Sequence, residues 1–170
     1  MKTGVTAGIA IVIAAVVIVT AYAITMPGGN GSLAIGVTDS PVSNVSHIYL
    51  TISDIQLQGQ GNSSVNFKVN STSFDLLSFV NVTKMLGSES IPAGNYTMIR
   101  FTILSATATI GGKNTTLNVP SGQVKVPLSF RIASGKTTTV VIDVTADMTN
   151  ISASGNLRPV VTVKSVTGPS

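Results

Sequence analysis

Apolar and polar residues alternate with a period of two along most of this chain, and that narrows its possible folds more than any other feature. The alternation runs from Leu33 to Val166 in short stretches rich in Val, Ile and Thr, broken by Gly, Pro, Asn and Asp. β-Branched side chains are stiff in a helix and pack well on a pleated surface, so each stretch reads as a half-buried strand. Leu33–Val37 is the first and His47–Gln58 the longest. In the latter, Ile48, Leu50 and Ile52 share a face before the apolar set slips to Ile55 and Leu57. A β-bulge near Ser53–Asp54 produces such a slip. Val65–Val69 is a short strand, and Phe74–Val80 a compact apolar run. Asn81–Leu86 reads as a helical turn stopped by Gly87. Pro92-Ala93-Gly94-Asn95 is a turn ahead of a strand over Tyr96–Leu104. Ala106–Ile110 and Thr115–Val119 flank Gly111-Gly112-Lys113-Asn114, a hairpin by its turn chemistry. Val124–Ile132, Thr137–Val144 and Pro159–Val166 complete about eight or nine strands. The expectation is an all-β fold, a β-sandwich of immunoglobulin or transthyretin type over residues 33–166, followed by a tail over 167–170.

The polar half of this pattern is made of hydroxyls. Of 170 residues, 20 are Ser and 21 Thr, while charged residues make up 9% against roughly 25% in an average soluble protein. The absence of Cys rules out disulfides, thiolate metal sites and a cysteine nucleophile. One His and one Glu leave little for acid–base chemistry, so we expect no enzymatic activity and no cofactor. The net charge of +4 is spread thinly over ten basic residues, without a run or interleaved aromatics, which argues against nucleic acid as a partner. Three Tyr and no Trp make a poor sugar-stacking platform. A carbohydrate-binding or other ligand-binding surface module therefore stands as the alternative to a structural or adhesive role.

Residues 1–26 form a separate object. Gly4–Met26 is a run of 23 residues without a charge, after Lys2. About 20 apolar helical residues cross a bilayer core, so the run is long enough for a transmembrane anchor. Ala21-Tyr22-Ala23 also fits the small-x-small pattern of a cleaved signal peptide. A third fate is the amino-terminal helix of an archaeal pilin-like subunit. A hydrophobic helix is the expectation in a membrane, because the backbone there must pair with itself. Outside a membrane, the ten Val or Ile residues over 5–24 suit a strand donated to a second copy, which would make the chain a filament subunit. All three fates carry residues 27–170 out of the cytoplasm, to the cell surface or beyond, with residues 27–32 as a linker.

The asparagines agree. Eight of 11 open an Asn-x-Ser/Thr sequon: Asn30, Asn44, Asn62, Asn70, Asn81, Asn95, Asn114 and Asn150. The frequency of Ser and Thr gives about 2.6 by chance. This excess points to dense N-glycosylation, with glycans supplying the solubility that charges normally give.

Other candidate sites are sparse. His47 opens a strand beside apolar residues and reads as structural rather than as a metal ligand. Asp143 and Asp147 lie four apart, without the Gly and further acids of a calcium loop. Arg100 lies opposite the Ile99 and Phe101 face, either solvated or in a structural ion pair with Asp39 or Asp75.

Seven motifs in order carry a resemblance. They are Thr38-Asp39-Ser40-Pro41-Val42, Ile48-Tyr49-Leu50-Thr51-Ile52, Phe74-Asp75-Leu76-Leu77 and Ile91-Pro92-Ala93-Gly94-Asn95-Tyr96-Thr97-Met98-Ile99-Arg100. Val119-Pro120-Ser121-Gly122, Gly135-Lys136-Thr137-Thr138-Thr139 and Leu157-Arg158-Pro159-Val160-Val161 complete the series. Together they resemble the domain-of-unknown-function family numbered 4382, over about residues 33–166. The resemblance implies an exported transthyretin-like sandwich with no catalytic residues to carry over. Its members are often lipoproteins, a pattern this Cys-free chain departs from.

Overall fold

A computed structural model describes residues 28–39, 45–69, 73–146, 151 and 155–169. The hydrophobic stretch over 1–26, expected as a helix, lies outside them. Among the described residues no helix is long and apolar enough to cross a membrane.

Among the described residues, ten strands form two sheets. They are β1 (Asn30–Thr38), β2 (Val45–Gly59), β3 (Ser64–Phe67), β4 (Ser73–Asp75), β5 (Lys84–Pro92), β6 (Gly94–Ile110), β7 (Lys113–Leu117), β8 (Gln123–Ile132), β9 (Thr137–Ala146) and β10 (Pro159–Thr167). One sheet runs β10-β9-β1-β5, with β1 parallel to β9 and the other pairs antiparallel. In the other, the 15-residue β2 and 17-residue β6 pair along most of their length. β3 and β4 add to successive parts of β2, and β8 and β7 to successive parts of β6. The all-β sandwich read from the alternation is therefore the fold.

The slip at Ser53–Asp54 is a register shift in the β2–β6 ladder, and it has a counterpart. Ile52 faces Ile103, Asp54 faces Thr102 and Thr51 faces Ser105, so Ser53 and Leu104 are both skipped. Each strand changes inward parity at its own bulge, and both do so at one level. Leu50 and Ala106 above it, and Leu57 and Ile99 below it, all point into the core.

One expectation is corrected. Asn81–Leu86 is not a helical turn, because β5 begins at Lys84. Its alternation is hidden by a bulge in β5 itself, where Leu86 is skipped between Gly87 opposite Ile35 and Met85 opposite Gly36, while Gly87 faces inward. A Cβ at Gly87 would come within 2.9 Å of the Lys68 carbonyl oxygen, so the interior leaves no room there for a side chain. The run Phe74–Val80 is a strand only to Asp75 and then a 3-10 turn over Leu76–Phe79. Gly111 and Gly112, at φ 56° and 78°, make the β6–β7 hairpin turn, whose two left-handed residues match strand twist.

The sandwich buries one continuous apolar core, including Leu33, Ile35, Ile55, Leu57, Ile99 and Ile142. Between the sheets an apolar cleft of about 30 Å³ is lined from both by residues such as Val37, Phe101 and Val144. The β5–β6 corner is closed by Tyr96, whose hydroxyl donates to the Pro92 carbonyl at 2.8 Å and whose ring stacks on Phe130 at 5.5 Å. Burial raises the Tyr96 pKa above the ordinary phenol value.

Ile99→Ala should cost about 2–5 kcal/mol, as a large-to-small change at a fully buried position does, measured by urea unfolding. Tyr96→Phe should cost about 0.5–1.5 kcal/mol by loss of the corner hydrogen bond. Because the folded state favours the neutral phenol, its contribution is present below the unfolded-state value and is lost as pH rises through the raised folded-state value. Tyr96→Phe should remove that part of the alkaline destabilisation.

Candidate functional site

The outward face of the β2–β6 sheet, above the double bulge, is an array of hydroxyls around two rings. Side chains opposite each other in an antiparallel register share a face. One row is therefore Asp75, Tyr49, Thr107 and Thr116, on β4, β2, β6 and β7. The row beside it is His47, Thr109 and Asn114. On the other side lie Ser73, Thr51 and Ser105. The alternate positions Ile48, Leu50, Ala106 and Ala108 point into the core.

Within the array the His47 Nδ1–H donates to Asp75 Oδ2 at 2.7 Å. The imidazole stacks on Tyr49 with ring centroids 5.6 Å apart and planes 15° off parallel. Asp75 also works on the backbone: its Oδ1 accepts from the Ile48 N–H at 3.0 Å and the Leu77 N–H at 3.2 Å, capping the 3-10 turn. The His47 side chain is 48% exposed and Tyr49 44%. Among the described residues no hydroxyl hydrogen-bonds the second His47 nitrogen, so the dyad orients a ring without engaging a nucleophile.

Five of the eight sequon asparagines are described, and all five are exposed: Asn30, Asn62, Asn81, Asn95 and Asn114. Asn30, Asn95 and Asn114 stand at strand ends, Asn62 and Asn81 in turns. Asn30, Asn62 and Asn95 gather at one end of the sandwich, Asn81 and Asn114 at the other. Asn62 and Asn81 take positive φ values of 65° and 58°, which asparagine tolerates better than most residues. Asn44, Asn70 and Asn150 lie outside the described residues.

The ion pair expected of Arg100 with Asp39 or Asp75 is corrected. Arg100 faces Gln56 and Lys125 in register, and its Nε–H points at Met98 Sδ at 3.4 Å. Asp75, on β4, lies against the other half of β2, opposite Tyr49, which is seven residues or about 20 Å from Gln56 along the strand. Asp39 is buried at the end of β1 in the other sheet, its backbone N–H donating to the Phe79 carbonyl at 3.2 Å. Asp75 pairs with His47 instead. Asp143 lies in β9, and Asp147 outside the described residues. Among the described residues no three His, Cys, Asp or Glu side chains come together to hold a metal ion.

A family model described as a domain of unknown function, DUF4382, matches residues 30–158. The chain belongs to the DUF4382 family. No curated protein and no solved structure matches it. The matched span of the DUF4382 domain holds β1 to β9 and ends one residue before β10, which completes the first sheet by pairing with β9.

The His47–Tyr49 plate went unread in the sequence, although its signal is there: positions i and i+2 of a strand share a face. Asp75 was considered, but for the wrong partner. Asp75→Ala should cost about 1–3 kcal/mol, since it orphans two backbone donors as well as the imidazole. His47→Ala should cost less than about 1 kcal/mol, as expected of an exposed pair. Thermal unfolding of the two variants gives the order.

Proposed function

We propose that this DUF4382 chain is an exported, N-glycosylated cell-surface sandwich with a structural or adhesive role, and not an enzyme. The observation that supports it best is the placement of the sequons. Eight sequons are about three times what composition gives, and every described one offers its asparagine to solvent near a strand end or in a turn. Glycans there would shield the two ends of the sandwich. The apolar run over 4–26 is the segment that would take the domain across or into the membrane.

Between a tethered coat and a filament joined by strand addition, the edges favour the coat. Edge strands invite pairing unless guarded. β10 carries Lys164 at a register shift, β5 ends in Pro92, and β8 has Pro127 between Lys125 and Arg131. β3, β4 and β7 are only 4, 3 and 5 residues long. A donated strand from residues 5–24 of a second copy would have to enter elsewhere.

Protein purified from its native cells should migrate well above 17.4 kDa and shrink on chemical deglycosylation. Peptide mapping should find sugar on most of the eight asparagines. Fewer than three modified sites would sink the proposal.

A further inference from the structure

Asn114 differs from the other described sequon asparagines in what it faces. In register, Asn30 meets Pro92 and Asn95 meets Arg131, while Asn62 and Asn81 sit in turns. Asn114 opens the row that runs through Thr109 to His47, two inter-strand spacings or about 10 Å away. Its Oδ1 accepts from the Thr109 hydroxyl at 2.7 Å. That bond holds the amide on the outward face and leaves Nδ2, the atom to which an N-linked sugar attaches, unengaged among the described residues.

The rings at the far end of the row are already in place. Asp75 fixes the imidazole through Nδ1, and the imidazole fixes Tyr49 by stacking, so little ordering remains to be done on binding. Between Asn114 and the rings lie only the short side chains of Thr107 and Thr109. Aromatic rings take up the apolar faces of neighbouring groups, while the tyrosine hydroxyl and the threonines offer hydrogen bonds. The rings are about half exposed on the sheet face, so a free sugar would be held weakly. A sugar attached at Asn114 is confined next to the rings and meets them at high effective concentration.

We propose that His47 and Tyr49, with Thr107 and Thr109 as the floor, form a docking platform for the first sugars of an N-linked glycan on Asn114. This rests on the reading of the chain as an exported glycoprotein. The glycan would lie across the sheet rather than project from it, covering the exposed ring pair and the short edge strand β7.

The test uses the full chain expressed in its native cells, as wild type and as Asn114→Gln. A second variant, Thr116→Ala, removes the sequon but keeps the asparagine, in case the first is not exported. Glycopeptide mass spectrometry reads occupancy at each asparagine, and nitration by tetranitromethane reads the accessibility of Tyr49. The expected result is an occupied Asn114 and a Tyr49 that nitrates several-fold faster in both variants than in wild type. Asn95→Gln, the control, should leave the rate unchanged. Equal Tyr49 rates with and without the Asn114 glycan, whether fast or slow, would overturn the platform and leave the glycoprotein reading standing. An unmodified Asn114 on a chain glycosylated elsewhere would do the same. Absence of sugar from all eight asparagines would overturn both.

Discussion

The β2–β6 ladder is the constraint on which the rest of the molecule depends. Every other strand of its sheet hangs on one of these two, and the core is closed against them. A strand's faces are fixed by parity, so one inserted residue would turn half of its apolar set toward solvent. Here Ser53 and Leu104 are inserted at the same level on opposite strands. The register therefore resumes unchanged beyond the bulge, and both halves of both strands keep their apolar side inward. The cost is visible as Leu104 itself, 66% exposed on the outside of the sheet.

That pairing also explains how far the sequence could be read. The parity switch in β2 was legible because apolar residues lie on both sides of Ser53. In β6 the same switch falls between Ile103 and Ala106, where small residues follow large ones, and one strand looked like two. β5 was lost for a related reason: a bulge, an inward glycine and a run of Ser and Glu erase the period. Leu76–Phe79 reads by composition only as part of an apolar run. Asp75 caps it locally through the Leu77 N–H, while the bond that ties this cap to Ile48 of β2 spans 27 residues and leaves no local signature.

The site was less legible than the fold. Sequons are local, and their exposure followed from their position beside turns. Partnerships across strands are not local. Arg100 was matched with acids by charge alone, whereas register places it beside Gln56 and Lys125. Asp75 finds His47 because β4 joins β2 at Tyr49, a register that single-sequence reasoning has no means to set. Aromatic scarcity makes a sugar-stacking platform read as poor, and composition gives no sign of the stacked His47–Tyr49 pair that an acid from another strand holds.

β1 is the strand nearest the amino-terminal linker, and it is buried on both faces between parallel β9 and antiparallel β5. A load entering the chain ahead of Asn30 and resisted at the far end, where Asn81 and Asn114 lie, pulls along the axis of β1. Its ladder bonds run across that axis on both sides. They are consequently strained in shear, many at once, instead of being peeled one after another. Were the first strand an edge strand held on one side, the same force would meet half the resistance. Placing the first strand in the centre of its sheet gives the domain mechanical strength in the direction in which a surface-tethered molecule is pulled.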